Sequence, residues 1–487
     1  MKKFESVLLV LTLIVAASCS RPAAEEHEIS LMDREIGLFP EAANFVFDID
    51  VDYKQEKILA GCELKVRNPS EEPAEIIPLI LYRLLDVFEV TDTDGAPIEF
   101  DQRVLKYEDF EQYQVNHIRI ALDPALQPGD TRTVKLRYGG HLLGSAEAMR
   151  YVKDHISKEY TLLRTDSLVF PRIGINSWET NRKLGLGSFD YTLSITVPSP
   201  LMAASPGKLL SKKESGETVT YTYENLVSAW RLDAAVAQFD VLEDEQNKLK
   251  IFVLPEDRKA AERMMKAMKD ARSFYQQWFG PLKVFKGLTV LEVPEGYGSQ
   301  ADKTAIIQQA QGFSEEGPLY EFYHELSHLW NVKSNDPMPP RFESEGMAMF
   351  MQHFMEEKLD GKKEAVVDAV NTSLSRLGTY FSEHPEDQNI PMIDYGNTQK
   401  TNLSYRMGQV LFYILYKKMG EEKFLEVVGS FYQDNFDSGA TAQQFVDYFK
   451  EHSPVDLEKV FKEWVLTEEA TSLLAEGISL TDLLARY

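Results

Sequence analysis

Two histidines four positions apart, His324 and His328, and the glutamate after the first, Glu325, carry the clearest chemical information in the sequence. On an α-helix, side chains at i and i+4 lie on one face, so the two imidazoles would point in the same direction. This His-Glu-x-x-His pattern is typical of zinc hydrolases, in which the histidines bind the metal and the glutamate acts as general base. The chain has only 9 histidines in 487 residues, so the spacing rarely arises by chance.

A catalytic zinc ion needs at least a third protein ligand and an open position for water. A downstream carboxylate is the expected donor. Glu343 and Glu345 are the candidates, because they stand where a second helix is expected to begin. His353 follows on the same predicted helix and is expected to support the site or pack in the core, not to be a fourth ligand.

The triplet Ser344-Glu345-Gly346 resembles the gluzincin peptidases, in which a glutamate in an Asn-Glu-Gly or Ser-Glu-Gly context follows the histidine motif. The chain is most similar to the membrane alanyl aminopeptidase (aminopeptidase N) family and the glycyl aminopeptidase family. The resemblance covers roughly residues 40–465. It implies that one Zn²⁺ is bound by His324, His328 and Glu345, with Glu325 as the base that takes a proton from water.

A tyrosine, Tyr405, precedes a glycine-containing apolar helix. Both families carry a tyrosine at this place, and its phenol donates a hydrogen bond to the oxyanion of the tetrahedral intermediate. The resemblance therefore implies this role for Tyr405. Tyr395 is the alternative candidate.

The substrate site departs from the family pattern. Aminopeptidases of both families carry a glutamate on the strand before the zinc helix, where it pairs with the free ammonium of the substrate. The matching stretch here is residues 296–302, which places Gln300 or Ala301 at the glutamate position. Gly298, Gln300 and Ala301 are the predicted substrate-binding residues, and none of them is a glutamate. A neutral amide accepts a hydrogen bond from an ammonium without offsetting its charge. The neighbouring carboxylates that would substitute are Glu295, Asp302 and Glu315.

Several elements must position these residues. Residues 191–197 alternate apolar and polar side chains, as half-buried antiparallel strands do, and residues 219–223 show the same period. Residues 257–279 change to a helical period, and helices are expected over most of the chain after residue 319. Residues 304–309 are expected to form a strand that binds the substrate backbone as an added β-strand.

The predicted fold is multi-domain. An all-β, saddle- or sandwich-like domain at residues 39–244 is followed at residues 245–487 by the thermolysin-like α+β, mainly helical, catalytic domain that the resemblance implies. Hydrophobic residues make up 44% of the chain, which is enough for extensive cores and excludes global disorder. Cys62 is expected to be a buried strand residue.

The amino terminus predicts location. Lys2 and Lys3 precede an apolar run, and small residues end in Cys19, which resembles a bacterial lipoprotein signal. The resemblance implies a signal peptide at residues 1–18, lipidation of Cys19, and a tether at residues 19–38. The protein would then be anchored outside the cytoplasm to a bacterial membrane, on the periplasmic or cell-surface face.

The overall charge of −25 at pH 7 argues against nucleic acid as a partner. The sequence therefore predicts a lipid-anchored, extracytoplasmic zinc peptidase of the aminopeptidase N-like type with peptide substrates. Because the anchoring glutamate is missing, an endopeptidase or oligopeptidase remains an alternative. So do a peptide-binding relative without catalysis and a different hydrolase on the same scaffold.

Overall fold

The computed structural model describes residues 30–185, 187–314 and 316–487. Its strands are β1 (Glu41–Asp52), β2 (Lys57–Arg67), β3 (Ala74–Tyr82), β4 (Leu85–Thr91), β5 (Phe100–Lys106), β6 (Gln114–Leu126), β7 (Thr131–His141), β8 (Thr161–Arg164), β9 (Arg172–Ile173), β10 (Asp190–Pro198), β11 (Met202–Ala204), β12 (Lys208–Ser215), β13 (Thr218–Glu224), β14 (Asp233–Ala237), β15 (Asp240–Asp244), β16 (Leu249–Val253), β17 (Leu288–Val293), β18 (Gln300–Asp302) and β19 (Ala305–Gln309). Its helices are α1 (Trp178–Leu184), α2 (Ala260–Phe279), α3 (Tyr320–Ser327), α4 (Met347–Leu359), α5 (Ala365–Glu383), α6 (Thr401–Met419), α7 (Glu421–Asn435), α8 (Ala442–His452), α9 (Glu458–Phe461), α10 (Glu469–Ala475) and α11 (Leu480–Arg486). Within these ranges, no helix combines the length and apolar character needed to cross a membrane.

The amino-terminal part is built from β-sheets. A seven-stranded sheet has the order β12-β13-β10-β1-β2-β7-β4, and a four-stranded sheet has the order β5-β6-β3-β9. The alternation predicted for residues 191–197 is confirmed, because every second side chain of β10 is buried. Cys62 is also buried, on β2. The two sheets share one apolar core, as expected for packed β layers.

A separate five-stranded sheet begins the part of the chain that carries the histidine motif. Its order is β15-β16-β17-β19-β18. The expectation that residues 304–309 bind substrate as an added strand is wrong, because β19 is hydrogen-bonded on both sides, to β17 and to β18. The edge strands of the sheet are β15 on one side and the short strand β18 on the other. On this side of the sheet, an added strand would therefore pair with β18 and not with β19.

Helices cover one face of this sheet and make up most of the remaining chain. The helical period at residues 257–279 is confirmed by α2, whose stripe of alanine, methionine and aromatic residues is buried. Helices α3 to α8 contribute to one large core with the sheet. The predicted fold class is confirmed: a β-rich amino-terminal part precedes a mainly helical part. The five-stranded sheet starts at Asp240 and so includes β15, which lies before the boundary predicted at residue 245.

Candidate metal centre and active site

The two histidines of the motif lie at the end of α3. His324 is on the last turn of the helix, and His328 is the first residue after the helix ends. Their ring centroids are 5.0 Å apart. The spacing of four residues brings both rings to one face, as the sequence predicts. His324 is buried, while His328 is partly exposed.

Glu345 approaches this face from the π-helical turn Phe342–Gly346, which leads into α4. Its Oε2 atom is 3.3 Å from Nε2 of His324 and 3.5 Å from Nε2 of His328. One donor atom from each of the three residues lies within 4.8 Å of the other two. Two imidazole nitrogens and a carboxylate oxygen form a donor set typical of zinc. The triad can therefore hold one zinc ion.

Arg341, which the sequence analysis did not identify, forms an ion pair with Glu345. Its guanidinium pairs with Oε1 of Glu345, so that Oε2 is the oxygen turned toward the imidazoles. Burial would raise the pKa of Glu345, but Arg341 and the two histidines outweigh it and hold that pKa well below the usual range. Glu345 is therefore an anion, as a ligand must be.

Glu343, the other carboxylate candidate, is not one of the three groups that converge. It lines an enclosed cavity of about 30 Å³ beside Trp330 and Phe445. Burial raises its pKa to about 7. The choice between the two glutamates therefore falls on Glu345, as the family resemblance implied.

Glu325 lies beside the triad on α3 and is buried. Burial raises its pKa to about 7, with further contributions from the carboxylates of Glu345 and Glu321, while His324 opposes the shift. A carboxylate with a pKa near neutrality is suited to accept a proton and then release it.

Tyr405 lies on α6 with its ring parallel to that of His324, at a centroid distance of 6.3 Å. The Arg341 guanidinium lies 5.8 Å from the ring centroid. Burial and the nearby Glu345 carboxylate raise the pKa of Tyr405, so its phenol stays protonated and can donate a hydrogen bond. Tyr395, the alternative, is fully buried, and the neighbouring groups that act on its phenol are Asp387 and Tyr380, not the triad.

The predicted substrate positions lie at the free sheet edge. Gly298 is in the turn before β18 with φ +75°, and Gln300 and Ala301 are on β18 itself. The side-chain oxygen of Gln300 accepts a 2.6 Å hydrogen bond from Arg231 of the β-rich part. Arg231 also pairs with Asp166 at 3.1 Å. Gln300 is thus tied to the other part of the chain.

The three carboxylates proposed as substitutes differ in their placement. Asp302 is buried, and burial raises its pKa to about 6. Glu295 is exposed on the loop before β18, and Glu315 lies outside the described residues. A carboxylate that the sequence argument missed, Glu321 on α3, accepts hydrogen bonds from Ser299 and from two glutamines of the sheet end, Gln309 and Gln311.

Some of the missed residues had a local signal. Glu321 precedes His324 by three positions and therefore shares its helix face. Gln352 follows Glu345 by seven positions, two helical turns, and its side-chain oxygen lies 3.0 Å from Nδ1 of His324. Arg231 had no such signal, because it reaches Gln300 from 69 residues away.

Comparisons with known proteins agree on the fold. No protein-family model and no curated protein matches the sequence. Among solved structures, an M1 zinc metallopeptidase from Deinococcus radiodurans aligns with a TM-score of 0.58 and 16% identity, over 92% of this chain and 96% of that one. A mutant of such an enzyme from the same organism, bound to a Tyr-Ser-Ala substrate, aligns with a TM-score of 0.60 and 16% identity, over 88% and 94%.

Native yeast LTA4 hydrolase aligns with a TM-score of 0.63 and 14% identity, over 88% of this chain and 68% of that one. At such low identity, these similarities show a shared two-domain fold. The predicted gluzincin-like fold is therefore supported. Zinc metallopeptidases have a similar fold, and this chain has a triad that can bind one zinc ion.

Proposed function

We propose that the protein is a zinc-dependent peptidase that hydrolyses peptide bonds, with His324, His328 and Glu345 as the metal ligands. The observation that carries the proposal is the convergence of this triad with Glu325 and Tyr405 beside a free sheet edge. The similar fold of a zinc metallopeptidase mutant that binds Tyr-Ser-Ala supports peptides as the substrate class.

Each residue has a defined task in this mechanism. A bound zinc ion would lower the pKa of a water molecule and polarise the scissile carbonyl. Glu325 accepts the proton of the attacking water and delivers it to the leaving amine. Tyr405 donates a hydrogen bond from its phenol to the developing oxyanion. Strand β18 aligns the substrate backbone by pairing with it.

Replacing the base tests the proposal. Glu325→Gln keeps the size of the side chain but cannot take a proton, so turnover of a mixed peptide library should fall by about 10²-fold or more. Zinc content, measured by elemental analysis, should stay near one ion per chain. Glu422→Gln, an exposed change on α7, serves as the control and should retain full activity. Equal turnover by Glu325→Gln and wild type would exclude this mechanism.

The proposal has two versions, which differ in whether the enzyme removes amino-terminal residues or cleaves peptides internally. We propose release of amino-terminal residues, with internal cleavage as the second candidate, favoured by the absence of a glutamate at Gln300 and by the hydrogen bond that already engages its oxygen. Rates on one peptide with a free and with an acetylated amino terminus separate them. Loss of turnover on acetylation supports the aminopeptidase, and an unchanged rate supports internal cleavage.

We also propose that the protein is anchored outside the cytoplasm through a lipid on Cys19, which lies outside the described residues. The support is the charged, apolar and small-residue order of residues 1–19. In cells, wild type should incorporate labelled palmitate and sediment with membranes, whereas Cys19→Ser should do neither. Labelling of Cys19→Ser at the wild-type level would contradict the anchor.

A further inference from the structure

A chain of hydrogen bonds runs from His324 toward the protein surface. The Oε1 atom of Gln352 lies 3.0 Å from Nδ1 of His324, and the Nε2 atom of Gln352 lies 2.9 Å from Nε2 of His353. Nδ1 of His353 is 2.7 Å from Oε2 of Glu356. The other oxygen of Glu356 pairs with Lys362. Gln352, His353 and Glu356 are not metal ligands, and the proposed mechanism gives them no role in the chemical steps.

The helix α4 explains why these groups meet. Gln352, His353 and Glu356 all lie on it, and Gln352 stands two turns after Glu345, on the side that faces α3. Gln352 and Glu356 are buried. The His353 ring stacks on Tyr320 of α3 at a centroid distance of 6.2 Å and an angle of 25°. The chain is thus held by packing between the two helices that carry the triad.

The chemistry of the end groups gives the chain one direction. An ionised Glu356 only accepts, so Nδ1 of His353 donates to it, and the neutral form of His353 then offers a bare Nε2. The amide nitrogen of Gln352 only donates, so it faces this bare nitrogen. The amide oxygen must then face His324 and accept its Nδ1 proton. A neutral His324 protonated at Nδ1 has a free Nε2, the atom that faces Glu345.

The charge state of Glu356 agrees with this direction. Burial would favour the neutral acid, but hydrogen bonds from His353 and Lys362 outweigh it and lower the pKa of Glu356. Rotating the Gln352 amide by 180° would place an NH₂ group against Nδ1 of His324. That arrangement would force the proton onto Nε2 and block the metal.

We propose that Gln352, His353 and Glu356 are positioning residues that hold His324 in its metal-binding tautomer and thereby set the affinity of the site for zinc. The inference rests on the proposed zinc site and extends it. Hydrogen bonds to a metal-bound histidine fix its ring and raise its basicity, and losing one typically costs 10- to 100-fold in affinity.

Zinc dissociation constants of the purified protein, measured by competition with a chromogenic chelator, test the proposal. Gln352→Met removes the acceptor at similar length and should weaken zinc binding by about 10- to 100-fold. His353→Phe leaves the acceptor but no longer orients it, so a smaller loss is expected. Gln352→Glu restores an acceptor for the Nδ1 proton and should bind zinc more tightly than Gln352→Met.

Two matched controls separate this effect from a general loss of stability. Gln409→Met removes a buried amide of α6 that bonds Ser373 and the carbonyl of Met349, outside the chain that reaches His324. His384→Phe removes a partly exposed histidine paired with Glu386. Both should keep the wild-type zinc affinity, even where the melting temperature of the metal-free protein falls.

The outcomes distinguish failure of the positioning role from failure of the proposed zinc site. If wild type binds zinc and Gln352→Met binds it equally well, the positioning role is wrong and the zinc site stands. An equal loss of affinity in Gln409→Met would also overturn it. If wild type binds no zinc, the proposed function itself fails. If Gln352→Met does not fold, the same comparison holds for His353→Phe against His384→Phe.

Discussion

Tyr405 is the residue whose role depends most directly on one atom, its phenol oxygen. Tyr405→Phe removes a hydrogen bond that is expected to form only in the transition state, so kcat should fall by about 10²- to 10³-fold with little change in KM. Steady-state kinetics on a peptide substrate provide the measurement. Tyr395→Phe is the matched control, because its hydroxyl is buried with no partner among the described residues. A large loss of kcat in Tyr395→Phe alone would reverse the assignment.

Glu292, the next-to-last residue of β17, lies outside the proposed active site and makes stability depend on pH. It is fully buried, and burial raises its pKa to about 9. A carboxyl with a raised folded pKa binds more protons in the folded state, so its contribution to stability is lost as pH rises from about 4.5 to 9. At pH 7 this effect lowers the free energy of unfolding by about 3 kcal/mol relative to its value below pH 4.5.

Glu292→Gln should therefore flatten this part of the pH dependence. Wild type should lose melting temperature steadily between pH 5 and 9, whereas the variant should lose much less, as measured by calorimetry of the metal-free protein. Glu295→Gln, an exposed change three positions away, should leave the wild-type slope intact. Parallel curves for Glu292→Gln and wild type would show that Glu292 does not carry the effect.

At the scale of single residues, the sequence predicted the site where spacing alone decides the geometry. His324 and His328 meet because a helix repeats every 3.6 residues. Arg341 escaped prediction because its contact with Glu345 depends on a left-handed backbone, φ +70°, at the start of a π-helical turn. An arginine rarely adopts that conformation, so the local sequence did not predict it.

Two elements of the site are pressed together through glycines. A Cβ atom built on Gly408 of α6 would lie 2.6 Å from the Cα atom of Gly346, which follows Glu345 in the π-helical turn. Because the contact is between backbone atoms, no side-chain rotation can relieve a clash there. This contact sets the distance between Tyr405, one turn before Gly408, and the metal ligand candidate Glu345.

Gly408→Ala should push α6 away from the turn. We expect a stability loss of about 1–3 kcal/mol, from denaturant unfolding, together with a kcat reduced by at least 10-fold in the zinc-loaded enzyme. Gly61→Ala is the control, since its added Cβ atom would meet nothing nearer than 4.0 Å. Wild-type kcat in Gly408→Ala would mean that the helix spacing does not position Tyr405.

Element types were predictable, but their neighbours were not. The period-2 and helical patterns predicted β10 and α2 because burial on one face imposes them. The prediction for residues 304–309 failed because strand order in a sheet depends on residues distant in sequence. The short strand β18 occupies the outer position that a local pattern would assign to β19.

At the scale of the whole molecule, buried arginines join the β-rich part to the part that carries the histidine motif. Arg164 on β8 is fully buried and pairs with Asp154 through both carboxylate oxygens. It also donates a 2.9 Å hydrogen bond to the carbonyl of Tyr297, in the loop before β18. The two parts predicted from composition and period are therefore coupled by contacts that no local pattern shows.

Arg164→Met should weaken this coupling as well as stability. It leaves Asp154 buried without its partner, which costs about 3–5 kcal/mol, and it removes the donor to Tyr297. Calorimetry should show two separated transitions in place of one cooperative unfolding. Adding Asp154→Leu should recover stability without rejoining the transitions, because the Tyr297 carbonyl still lacks its donor. Arg67→Met breaks an exposed pair with Glu41 and should change stability by less than about 1 kcal/mol. A single transition at the wild-type midpoint in Arg164→Met would show that this arginine does not couple the two parts.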